Sequence, residues 1–102
     1  MLLAHNVFFA LKDKSGADAL VAACKKFLTV QKGIVHFACG KLEPELDRPV
    51  NDRDWDVGLH LVFTDRAAHD AYQDDPDHGR FVEQNKPTWA KVRVFDSLVE
   101  TK

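Results

Sequence analysis

Tyr72-Gln73-Asp74-Asp75-Pro76-Asp77-His78-Gly79-Arg80-Phe81-Val82 is the stretch on which the reading of this chain turns. A phenol and an imidazole flank a proline that cannot continue one helix but suits the first turn of the next, with Asp75 before it as cap. Beyond the proline, His78, Phe81, Val82 and Asn85 share a helical face. Before it, Asp65 can cap a short helix whose inward face is expected to be Ala68, Ala71 and Tyr72.

Working outward, Asp56 to Phe63 alternates as a strand, with Val57, Leu59, Leu61 and Phe63 on one side. Lys41 to Asp54 holds Pro44 and Pro49, is polar and has no period, so it reads as a long surface loop without catalytic residues. Ile34 to Cys39 reads as another strand. Ala17, Leu20, Val21, Cys24, Phe27 and Leu28 make one apolar helical stripe, with Ser15 as expected N-cap, Asp18 in the capping-box position and Gly33 closing the helix. His5 to Leu11 is aromatic and β-branched enough for a first strand, and Val92 to Phe95 supplies a last one.

The order is thus β-α-β-β-α-β, the split βαβ plan of an α+β, ferredoxin-like sandwich with a four-stranded antiparallel sheet, in one domain spanning 1–102. Helices can cover only one face of such a sheet. His5, Val7, Phe9 and Leu11 alternate with Asn6, Phe8 and Ala10, and His60 and Val62 alternate with Leu59, Leu61 and Phe63. The face bearing Phe8, Ala10, His60 and Val62 would leave an apolar patch that monomers rarely tolerate. A second copy related by a twofold axis would cover it, so the patterning favours a homodimer through that face.

Composition narrows the function classes. A net charge of −2 over 102 residues leaves no basic footprint for nucleic acid or an anionic membrane. No apolar run approaches the ~20 residues that span a bilayer, and Met1 to Asn6 lacks the charged start of a signal peptide. Cys24 and Cys39 fit no metal spacing and read as reduced residues of a cytoplasmic protein.

With the first strand, Gly40, Trp55-Asp56-Val57-Gly58-Leu59, Phe63, Ala71-Tyr72, Pro76, His78 and Phe81-Val82 in hand, the chain resembles the stress-responsive dimeric α/β-barrel (Dabb) family over nearly its whole length. The resemblance implies a monomer that pairs sheet to sheet into a shared barrel. Asp75 stands where many members have His, and Trp55 where Tyr is usual. The family is functionally mixed, with most members lacking an assigned reaction. In one plant cyclase branch the residues matching Tyr72 and His78 carry the acid–base steps of an intramolecular aldol condensation, and barrels of this architecture include cofactor-free monooxygenases. Fold alone does not choose among these.

Tyr72 and His78 are accordingly the candidate catalytic pair. His78 falls in the first turn of its helix, where the dipole disfavours imidazolium and leaves a base. The competing reading makes both core residues that lock the helix break. His5, Val7, Phe9, Leu59 and Phe81 are the candidate lining of a pocket between sheet and helices for a small, largely apolar ligand. No metal site and no cofactor are expected: His36, His60 and His69 are scattered, and no ligand spacing is present. His36 and His60 belong to the face assigned to the dimer. The reading is a small-molecule-binding, stress-responsive dimeric α/β-barrel protein with no assigned reaction; the alternative is a cofactor-free enzyme, cyclase-like or monooxygenase-like, using the Tyr/His pair, and a purely structural oligomer stays open as a third class.

Overall fold

A computed structural model describes residues 1–29 and 31–102. The described chain runs β1 (Leu2–Leu11), α1 (Ala17–Phe27), β2 (Ile34–Lys41), β3 (Val57–Phe63), α2 (Arg66–Asp74), α3 (Pro76–Asn85) and β4 (Trp89–Val99), with short 3-10 turns before α1 and β4. The sheet is four-stranded and antiparallel in the order β2-β3-β1-β4. This is the ferredoxin-like arrangement, its helices laid on one face. The shortest dimension, 17 Å, suits one sheet under one layer of helices about 10 Å thick.

Strand register separates the two faces, because directly paired residues point the same way. His5 pairs with Leu61 and Asp96, Val7 with Leu59 and Val94, and Phe9 with Val57 and Val92. On this side Leu3, Val7, Phe9, Leu11, Val57, Leu59, Leu61 and Phe63 join Leu20, Cys24, Leu28, Tyr72 and Phe81 in the core. Each large side chain so buried contributes about 1.5–3 kcal/mol. On the opposite side, Phe8 meets Trp55, His60 and Phe95 edge to face. Ala10, expected on the open face, is already buried, near the slip in the β1–β4 pairing between Ala10 and Leu11.

Several element ends differ from expectation. Ser15 does not cap α1: Asp13 caps the preceding 3-10 turn, its carboxylate accepting from the Ser15 backbone N–H at 3.0 Å, and α1 begins at Ala17 after Gly16 with no side-chain cap. A carboxylate at this spacing competes well because it is charged and short. α1 stops at Phe27, with the Leu28 N–H on the Cys24 carbonyl, so Gly33 does not close it; the expected run to Gly33 crosses Val30, which lies outside the described residues. Gly33 instead turns the chain into β2 at φ 89°, and a Cβ there would lie 2.6 Å from that of Ala68. Ala71 is exposed; Ala68, His69 and Tyr72 form the inward face of α2. β4 extends well beyond Val92–Phe95 at both ends.

The long loop is surface chain, but its C-terminal part is fastened. Arg93 and Lys91 of β4 pair with Asp52 and Asp54, and the Trp55 indole donates to the Asp52 carbonyl at 2.8 Å. The Asp56 carboxylate accepts from the Leu11 N–H at 2.8 Å. Among the described residues no helix is long and apolar enough to cross a membrane.

Candidate functional site

The helix break is built by two aspartates. Asp65 caps α2 by accepting from the Ala68 N–H at 2.8 Å, and Asp75 caps α3 by accepting from the Asp77 N–H at 2.8 Å. Gln31 reaches the same Asp75 oxygen at 3.2 Å, tying the break to the end of α1. Pro76 takes the first helical position, where its missing N–H costs nothing. Tyr72 therefore sits in the last turn of α2 and His78 in the first turn of α3, and their rings meet edge on, 4.7 Å between centroids. No hydrogen bond joins these two side chains among the described residues. Their contact is a packing of rings.

A cavity of about 140 Å³ opens beside the pair. Val7, Phe9 and Leu59 form its sheet-side floor, and Phe81 and Val82 of α3 with Trp89 form its wall. His5, Tyr72, Gln73 and His78 supply its polar groups. Val92 and Val94 of β4 complete the rim; both are exposed, because the helices lie mainly over β1, β2 and β3 and leave this edge uncovered. The volume is close to the ~150 Å³ of an engineered apolar cavity that binds benzene, and below the roughly 300 Å³ at which drug-sized pockets begin. Trp89 brings an indole N–H that is buried with no acceptor among the described residues. A larger groove of about 570 Å³ runs past Lys12, Glu83, Lys86 and Lys91, but it is open surface and its ionisable side chains are exposed to solvent.

Burial sets the protonation states. Tyr72, only 2% exposed, has its phenol pushed up by burial and, secondarily, by Cys24, so it stays a donor. His78 is shifted down, first by burial and then by the neighbouring His5 and His69, against a smaller opposing effect of Asp75. A neutral imidazole thus stands beside a protonated phenol. His5 is buried on β1, 6.0 Å ring to ring from Tyr72, with Nδ1 2.5 Å from the Asp96 carboxylate.

All seven candidate residues of the sequence, Tyr72, His78, His5, Val7, Phe9, Leu59 and Phe81, lie around this one cavity. Two neighbours were not among them. His69, expected among scattered histidines, faces His5 at 5.0 Å, and Asp96 pairs with His5 across the β1–β4 ladder. His69 precedes Tyr72 by three residues, the spacing that places two side chains on one helix face. Asp96 shares the parity of Val92 and Val94, an inward position where a carboxylate is out of pattern. His36 and His60 fall on the other side of the sheet, where burial and His36 lower the His60 imidazole.

Among curated proteins none matches this sequence. Solved structures do. A Dabb family protein with a ferredoxin-like fold from Mesorhizobium loti is 26% identical over 98% of each chain, with a TM-score of 0.78. A dimeric ferredoxin-like protein of unknown function from Jannaschia is 23% identical, covers 97% of this chain and 100% of its own, and scores 0.78. The hydroxynitrile lyase of Passiflora edulis shares the fold at 15% identity, covering 99% and 95%, with a TM-score of 0.78. The stress responsive A/B barrel domain, Dabb, matches residues 3–99, and the chain belongs to that family.

Proposed function

We propose that this chain is a homodimeric binding protein, one domain over residues 1–102, for a small, largely apolar molecule bearing one polar head. The carrying observation is the cavity itself, with apolar floor and wall and a single polar end of His5, Tyr72 and His78. An aromatic ring fits its volume, a carbonyl oxygen would accept from Tyr72, and the unpartnered Trp89 N–H adds a donor in the same wall. A second copy covers the open face of the sheet, where Phe95 is 55% exposed beside Phe8. Proteins of this fold from Thermobifida fusca and Jannaschia are described as dimeric. Two free cysteines and the absence, among the described residues, of a membrane-length helix fit a place in the cytoplasm.

The test is calorimetric titration with an aryl methyl ketone such as acetophenone. Binding to the wild type that weakens about tenfold in His78→Ala, one lost polar contact, supports the reading. Equal binding by His78→Ala and Phe81→Trp, the latter filling the cavity, contradicts it.

A second reading has its own observation, the neutral imidazole 4.7 Å from a phenol held protonated. In it, His78 removes a proton from the carbon next to a carbonyl, and Tyr72 donates a hydrogen bond to the enolate oxygen that forms. No cofactor is required. Deuterium exchange into the methyl group of a bound ketone, followed by NMR, separates the two readings: exchange lost in His78→Ala and reduced in Tyr72→Phe marks an enzyme, and binding without exchange marks a binder.

A further inference from the structure

His5, His69 and Asp96 come from three different elements, β1, α2 and β4, yet one ligand atom from each lies within 4.8 Å of the others. We propose that these three side chains form a binding site for a divalent transition-metal ion of the zinc class, at the His5 end of the cavity. This assignment goes beyond the small-molecule reading and does not depend on it.

Donor chemistry selects the ion. Two imidazoles and one carboxylate suit zinc, iron(II), cobalt, nickel or copper, whereas calcium and magnesium prefer all-oxygen sets. Three protein ligands leave a tetrahedral ion one open position. Because His5 also lines the cavity, the proposed ion site adjoins it through that side chain.

The surrounding contacts fit the assignment. His69 Nδ1 is 3.0 Å from an oxygen of Asp70, which leaves Nε2 as its free donor; a carboxylate behind an imidazole is the usual support of a metal-binding histidine. His5 Nδ1 lies 2.5 Å from the Asp96 carboxylate, so two of the three ligand groups already stand side by side where a cation would sit between them. Bonds of about 2.0–2.1 Å place tetrahedral ligands about 3.4 Å apart, so no pair need close by more than about 1.4 Å, and the His5–Asp96 pair, now 2.5 Å apart, must open by about 0.9 Å. Asp96 can supply that movement, since its side chain is nearly half exposed while His5 is held in the core.

The experiment uses the full chain and Zn²⁺ alone, by equilibrium dialysis and by the shift in melting temperature, with Co²⁺ absorption reporting the ligand geometry. One ion per chain is expected, with an intense tetrahedral cobalt spectrum. His69→Ala and Asp96→Asn should abolish binding, and Asp70→Asn, which keeps all three ligands, should weaken it about tenfold. His36→Ala, on the opposite face, should bind as the wild type does. Near-ultraviolet circular dichroism checks that each variant is folded, and His69→Gln serves if His69→Ala is not. Undiminished Zn²⁺ binding in a folded His69 variant overturns the assignment. So does loss of binding in His36→Ala or His60→Ala, or absence of binding to the wild type at micromolar Zn²⁺.

Discussion

The two faces of the sheet are made by the same strands with the same alternation, and they end in opposite conditions. Under the helices, Leu59, Leu61 and Phe63 are at most 1% exposed. One residue along, His60 and Val62 are only half covered, and in the aromatic cluster of Phe8, Trp55 and Phe95 the first two are half-buried and Phe95 is exposed. Apolar character does not distinguish the faces; cover does. The helix-covered face spends its apolar residues on the core and keeps a cavity at one margin. The other face holds a patch suited to a second copy.

That contrast can be broken from the open side with the largest effect. Phe8→Asp places an unpaired carboxylate in the proposed interface, twice per dimer, at about 3–5 kcal/mol for each buried charge. Sedimentation should show a monomer mass where the wild type shows twice that mass. A dimeric Phe8→Asp protein would move the interface elsewhere. On the covered side, Phe63→Ala should destabilise the fold by about 3–5 kcal/mol in denaturant melts while leaving the native mass unchanged.

A smaller effect comes from pH. The His60 imidazole is lowered by burial and then by His36, so the folded protein binds fewer protons than the unfolded chain below the ordinary value of 6.5. Stability is therefore full above about pH 6.5 and falls as pH drops through the lowered folded value. The carboxylates of Asp52, Asp54 and Asp70, lowered by their cationic partners, add a similar loss only at more acid pH, below about 4. His60→Gln should flatten the slope of melting temperature between pH 5 and 6.5, roughly the window set by the ordinary imidazole value. An unchanged slope would show that His60 titrates alike in both states.

The smallest effect is expected in the loop. Asp52→Ala removes the Arg93 pair at the surface and should leave mass and melting temperature alone. Hydrogen exchange over 43–54 should rise. Protection equal to that of the strands, in the wild type, would contradict the reading of this segment as surface loop.

How much of this was legible follows from what sets each feature. The β-α-β-β-α-β order, the caps at Asp65 and Asp75 and the break at Pro76 rest on local chemistry, and a sequence displays local chemistry directly. Helix starts depend on which of several short polar residues wins the cap. Asp13 caps a 3-10 turn that takes up Ser15, so α1 starts at Ala17 without a side-chain cap, and nothing in the one-dimensional pattern shows that turn. The placement of Ala71 fails by one position because α2 offers alanines at 67, 68 and 71, and an alanine marks no face by itself. His69 was readable from its spacing to Tyr72. Asp96 was not, since its meeting with His5 depends on the β1–β4 register, which forms between residues ninety-one apart. The openness of the cavity toward Val92 and Val94 likewise depends on where the helices stop.

The chain carries a tryptophan for each side of the comparison, Trp55 packed on Phe8 of the open face and Trp89 in the wall of the cavity. Single-tryptophan variants, Trp89→Phe and Trp55→Phe, allow each to be followed alone by fluorescence. With acetophenone added at fixed protein concentration, Trp89 emission should change and saturate while Trp55 stays constant. On dilution through the dimer dissociation range, Trp55 emission should shift toward the exposed value. A ligand response confined to Trp55, with Trp89 silent, would contradict the account by placing the binding site on the face assigned to the second copy.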